Sequence, residues 1–178
     1  MLIPYSFGIL AAGGSLRHTA TRFTLALFFL FAARIVLKDF RDREGDARYG
    51  KPTLLLRFGK SFTCGASLCA LIAGDGVLVA SLDPVLALFA QPFVLSVAWM
   101  LWRLWRADDP HGEQVSIGIG ARMGNGLLLC ILAWFVTESQ GASPTQTASL
   151  TGALSALFFL SFASLAARPH EAVIGYKG

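Results

Sequence analysis

The chain has 178 residues, a net charge of +4, 54% hydrophobic residues and only 15% charged ones, whereas soluble domains carry about 25% charge. That shortage excludes disorder, collagen-like repeats and disulfide scaffolds, and it argues against an ordinary water-soluble enzyme. The class it indicates is a polytopic membrane protein of one domain.

Crossing a bilayer takes roughly 20 mostly apolar residues in a helix, because every backbone polar group must be paired internally. Residues 1–14 (MLIPYSFGILAAGG) are apolar but too short to cross. They have neither the basic start nor the cleavage site of a signal peptide, and read as the second half of a helix. Residues 23–37 form the first span, interrupted by Arg34 near its end, and a basic loop follows. Residues 62–82 form a span with Asp75 in its middle, and a turn falls at Ser81, Asp83 and Pro84. The uncharged run 84–102 returns. Residues 123–137 are short for a span, but extend back through 115–121 if Arg122 lies at the interface. A base-free turn at 138–146 leads to the last span, 147–167. The expected fold is therefore all-α: a transmembrane bundle of about five full spans plus a partial N-terminal helix.

Orientation follows from the positive-inside bias, which places the loop 38–60 in the cytoplasm of a multi-pass cell-membrane protein. Both later outer turns lack Lys and Arg, as this scheme requires; Arg17 and Arg22 fall outside and oppose it. Trp99, Trp102 and Trp105 read either as an interfacial belt or as core.

The charge is concentrated. From Arg34 to Lys60 lie eight of the 15 basic residues and four of the 11 acids, so this segment carries the whole net charge of +4. Such a field suits an anionic ligand or an anionic membrane face. Nucleic acid is a poor fit, because no aromatic stacking platform accompanies the basic residues. Cys64, Cys69 and Cys130 sit in apolar runs without CxxC spacing, which fits small packing residues and neither disulfides nor zinc.

The segment RIVLKDFRDREGDARYGKPTLLLRFG carries the chemistry. If the preceding helix continues, Asp39, Asp42 and Asp46 fall on one narrow face, at offsets of three and seven. Clustered carboxylates repel unless cations bridge them. Hard oxygen ligands suit Mg²⁺, which keeps several waters and accepts one or two carboxylates plus phosphate oxygens. Lys38, Arg43, Arg48 and Lys51 stand nearby to hold phosphate, Arg as a fork and Lys as a point charge. Gly45, Gly50 and Pro52 turn the helix into a loop able to close over a ligand. The competing reading is a solvated loop whose charges anchor the span and bind lipid head groups. An EF-hand is disfavoured, since the alternating D-x-D-x-D-G register is absent.

Lys38-Asp39-x-x-Asp42-x-x-Gly45-Asp46-x-x-x-Gly50-x-x-Thr53-Leu54, followed by Arg57-Phe58-Gly59, resembles the second aspartate-rich motif of UbiA-type intramembrane prenyltransferases. The apolar approach FLFAARIVLKD resembles the helix that delivers it. The resemblance implies a transmembrane bundle around a cavity open to lipid, in which two aspartate-rich motifs bind Mg²⁺ and the diphosphate of an isoprenoid donor. It makes Asp39, Asp42 and Asp46 the metal–diphosphate ligands and the catalytic set. Lys38, Arg43 and Lys51 become the first diphosphate contacts, with Arg34 and Arg48 behind them. The implied partners are a prenyl diphosphate, a hydrophobic or aromatic acceptor and membrane lipid.

Family members also carry a first motif, Asn-x-x-x-Asp-x-x-x-Asp. The single asparagine here, Asn125, is followed by GLLLC and has no such aspartates after it. Residues 1–178 are therefore expected to represent the C-terminal portion of the domain, with little transferase activity alone. A non-catalytic remnant or subunit pairing with another membrane chain is the alternative.

The remaining polar residues are weaker candidates. Asp75 is either an intramembrane functional acid or a local break between Gly74 and Gly76. Asp108, Asp109, His111 and Glu113 form either a cavity mouth or, with Pro110 and Gly112, a solvated turn. His18 and His170 read as surface residues. FFLF at 28–31 and FFLSF at 158–162 either contact an isoprenoid tail or pack. Gly118, Gly120, Gly124 and Gly126 suit close helix contact.

Overall fold

The computed structural model describes residues 18–35 and 37–166, and those residues are mostly helical with no strand among them. Seven helices follow one another: α1 (His18–Ile35), α2 (Lys38–Arg41), α3 (Arg43–Arg48), α4 (Leu54–Val79), α5 (Pro84–Arg106), α6 (Pro110–Ser139) and α7 (Pro144–Ala166). Four of them, α4 to α7, are long and apolar enough to cross a membrane. The fifth expected span corresponds to α1, 18 residues with Arg34 in its last turn, where a cation complements the exposed carbonyls. The partial helix expected at 1–14 lies outside the described residues.

The chain divides into two compact units, Met1–Pro84 and Val85–Gly178. In the first, α1 packs along α4. A methyl group added at Gly74 would come within 2.9–3.1 Å of Leu30, including its backbone nitrogen at 3.0 Å. The hydrogen at Gly74 is thus what lets the two backbones approach. Thr63, Ser67, Leu71 and Leu78 are buried on α4. Asp75, beside this contact, is half-buried.

The expected span 62–82 is extended at its start. Thr53 caps α4 with extended backbone angles, its Oγ1 accepting from the Leu56 N–H at 3.4 Å, as capping residues before an apolar run do. Six residues after Thr53 the helix is interrupted at Gly59, whose φ of 79° and ψ of 178° suit only glycine. Residues 60–79 then rise about 30 Å, the thickness of the hydrocarbon core. Residues 54–58 form a separate turn leading into that span.

In the second unit, Gly126 of α6 lies against Phe93 of α5 and Phe158 of α7, and Phe93, Phe158 and Phe159 stack on one another at 4.8–6.0 Å. Packing thus accounts for Phe158 and Phe159. Gly120 of α6 lies against Met100. Ser155 of α7 donates to the Cys130 thiol of α6 at 3.8 Å. Cys64 and Cys130 are buried, whereas Cys69 is exposed, contrary to the packing role expected of it.

Helix α6 runs unbroken for 30 residues, about 45 Å, so Arg122 lies well inside it and does not mark its end. Asp109 is its N-cap: the carboxylate accepts from the Gly112 N–H at 2.7 Å, and Pro110 follows in the first turn. The break between helices is therefore confined to 107–109, and residues 110–113 form the first turn of α6 rather than the solvated turn expected there. The core reading of Trp99, Trp102 and Trp105 does not, since all three are about half-exposed. The Arg103 guanidinium lies over the Trp99 ring at 5.2 Å and that of Arg106 over Trp102 at 4.4 Å, an arrangement suited to a membrane interface.

Candidate functional site

The three aspartates do not ride on a continuation of α1. The chain passes through Leu37 into α2, pauses at Asp42 (φ −93°, ψ 7°) and resumes as α3. Helical pitch nevertheless survives the pause, because the Asp42 N–H reaches the Lys38 carbonyl at 3.2 Å and the Asp46 N–H the Asp42 carbonyl at 2.8 Å. Leu37 and Phe40 are buried and pin α2 in place. The polar residues between and after them are thereby presented at the end of the first unit.

Asp39 is half-buried and accepts a hydrogen bond from the Leu54 N–H at the start of α4. Thr53 and Asp39 thus each take one of the unpaired N–H groups of that helix end. Burial pushes the Asp39 carboxyl above its ordinary value of 3.8, and the Asp46 carboxylate pushes the same way. The Leu54 N–H and the Lys51 ammonium pull it back, and Asp42 adds a smaller upward push. Asp39 therefore feels both of the other carboxylates.

Asp46 is 9% exposed, the most buried acid of the group. Helix α3 ends in a Schellman reversal: the Gly50 N–H bonds to the Ala47 carbonyl at 3.3 Å and the Lys51 N–H to the Asp46 carbonyl at 2.9 Å. The reversal needs the left-handed backbone of Gly50, at φ 64°. It returns Lys51 over Asp46, with Nζ 3.4 Å from Oδ1. Lys38 pairs with Asp42 at 3.8 Å. Arg43 and Arg48, at the two ends of α3, are exposed, and Arg34 is half-buried at the end of α1.

Helices α2 and α3 and the start of α4 thus gather Asp39, Asp42, Asp46, Lys38 and Lys51. Among the described residues no three acidic, His or Cys side chains already stand as a ready metal cage. The donor set still fits Mg²⁺, which takes one or two carboxylates and completes its octahedron with water and phosphate oxygens. The contribution of the α4 N-terminus was missed in the sequence, although Thr53 before LLLRF is a helix-start signal.

The sequence model of the UbiA prenyltransferase family matches residues 1–126, a region that includes this whole loop. No curated protein and no solved structure matches the chain. The family match covers well over half of the 178 residues, and the chain is an integral membrane protein belonging to the UbiA prenyltransferase family.

Proposed function

We propose that this chain carries one diphosphate-binding half of a Mg²⁺-dependent prenyltransferase, which moves an isoprenoid group from a prenyl diphosphate to a small hydrophobic or aromatic acceptor. The observation that carries this reading is the gathering of Asp42 and Asp46 near Asp39, with Asp39 on the N-terminus of α4 and Lys51 on Asp46, inside the family-matched region. In this reading Asp39, Asp42 and Asp46 would hold the metal, each ion taking one or two of the carboxylates. The ion, when bound, supplies the positive charge that makes diphosphate a good leaving group.

The chain's own groups do the rest. Lys38, Arg43 and Lys51 hold the diphosphate oxygens, with Arg34 and Arg48 contributing charge from further back. The first-turn N–H groups of α4 add a positive helix end beside Asp39. Apolar spans keep water from the allylic carbon, where an acceptor attacks as the diphosphate departs. The basic loop faces the cytoplasm by the positive-inside bias, and the protein resides in the cell membrane among lipid.

The sequence contains no Asn-x-x-x-Asp-x-x-x-Asp, so the proposed reaction draws that first set of ligands from another segment or a complementing membrane chain. The same observation favours a second reading, a non-catalytic subunit. Co-expression with a segment bearing the first motif, followed by a prenyl-transfer assay in membranes, separates the two. An enzyme gains Mg²⁺-dependent transfer and loses at least about a hundredfold with Asp39→Ala or Asp42→Ala. A non-catalytic subunit shows no transfer in any combination.

A further inference from the structure

Lys51 is held at its backbone and loose at its tip. The Schellman reversal ties its N–H to Asp46, and on its other side the Thr53 N–H bonds to the Lys51 carbonyl at 2.9 Å across Pro52. Its side chain, in contrast, is 68% exposed, while that of Asp46 is 11% exposed. A carboxylate so far from water needs a countercharge, and the ammonium supplies it from the solvent side, on a flexible four-carbon stem. The Lys38–Asp42 pair is longer, and its carboxylate is 37% exposed, so it needs its lysine less.

We propose that Lys51 is an exchangeable counter-ion of Asp46: its ammonium neutralises the carboxylate until a divalent cation takes its place, and then turns to the diphosphate. This inference rests on the metal–diphosphate reading of the loop and adds an order of events to it. Two like charges compete for one buried carboxylate, so the ammonium weakens cation binding when no diphosphate is present. Once displaced, it swings on its stem toward the anion that the cation recruits. Cation and prenyl diphosphate then bind with positive coupling, because each relieves a charge that the other leaves exposed.

The test is calorimetric titration of the purified, detergent-solubilised chain with Mg²⁺, without and then with a prenyl diphosphate, in the parent, Lys51→Met, Lys51→Arg and Asp46→Asn forms. Lys51→Met is expected to bind Mg²⁺ alone roughly two- to fivefold more tightly, the range an ion pair of this kind sustains. It should bind the prenyl diphosphate more weakly in saturating Mg²⁺, and Lys51→Arg should restore the parental Mg²⁺ affinity. An unchanged or weaker Mg²⁺ affinity in Lys51→Met, with the parent binding normally, overturns the counter-ion role and leaves the metal site standing. If neither the parent nor Lys51→Met binds Mg²⁺, the metal–diphosphate reading fails and the counter-ion role falls with it. Circular dichroism on the two Lys51 variants confirms that helix content is retained, as expected for an exposed side chain.

Discussion

Lys51 sits on Asp46 because of the backbone between them. Gly50 reverses the chain at the end of α3, the Lys51 N–H returns to the Asp46 carbonyl at 2.9 Å, and the two side chains meet at 3.4 Å. The pair is thus a consequence of the order Asp-x-x-x-Gly-Lys. Replacing Gly50 by Val, which resists positive φ, is expected to break the reversal and separate the charges. The check is cross-linking between cysteines placed at 46 and 51: efficient with Gly50 in place and lost with Gly50→Val.

Asp39 titrates above its ordinary value of 3.8, chiefly through burial and then through Asp46. Its charged form is thus disfavoured in the folded chain. Between the unfolded and the raised folded values the folded state binds more protons, so stability contributed at this site falls as pH rises through that window. Above the folded value the penalty is constant. The carboxyl ¹³C signal of Asp39 should therefore show a midpoint above 3.8, moving further up in Leu54→Pro, which removes the N–H donated to it. A midpoint at or below 3.8 contradicts the assignment.

Two glycines of α4 test its backbone separately from its packing. Gly59 has open space around it but φ 79°, so Gly59→Ala is expected to cost about 1–3 kcal/mol through strain alone. Gly65, also with nothing within 4 Å, sits in a regular helix. Gly65→Ala should leave the melting temperature unchanged or raise it. Equal effects in thermal unfolding would contradict the interruption at Gly59.

Packing of α1 on α4 is tested at Gly74. Gly74→Ala drives a methyl group into Leu30, including its backbone nitrogen at 3.0 Å, and should destabilise by about 1–3 kcal/mol. Gly76→Ala, two residues on and with nothing within 4 Å, is the matched control and should be close to neutral. Reversed effects in detergent melts would place α1 elsewhere.

The spans were legible because apolar length is a local property. The turns expected at 81–84 and 138–146 match the breaks between Val79 and Pro84 and between Ser139 and Pro144. Less visible was the interruption at Gly59, since LLLRFG reads equally well as loop or as helix. The condition set for a shared face, a helix continuing from the first span through Asp39, Asp42 and Asp46, is not met: two short helices stand there, with Leu37 and Phe40 buried. Spacing still grouped the carboxylates, because i to i+4 bonds persist through the pause at Asp42. What spacing could not supply was the contact of Asp39 with Leu54. It joins residues on either side of a loop, and depends on where α4 begins.

The central claim is that Asp39, Asp42 and Asp46 bind prenyl diphosphate through a divalent cation. Its most direct measurement is equilibrium binding of a long-chain prenyl diphosphate to the detergent-solubilised chain with Mg²⁺ or with EDTA, in the parent and in Asp39→Asn/Asp46→Asn. Binding is expected to require Mg²⁺ and to weaken at least about tenfold in the double variant. Binding of equal strength in EDTA, or unaltered by the two substitutions, would contradict it.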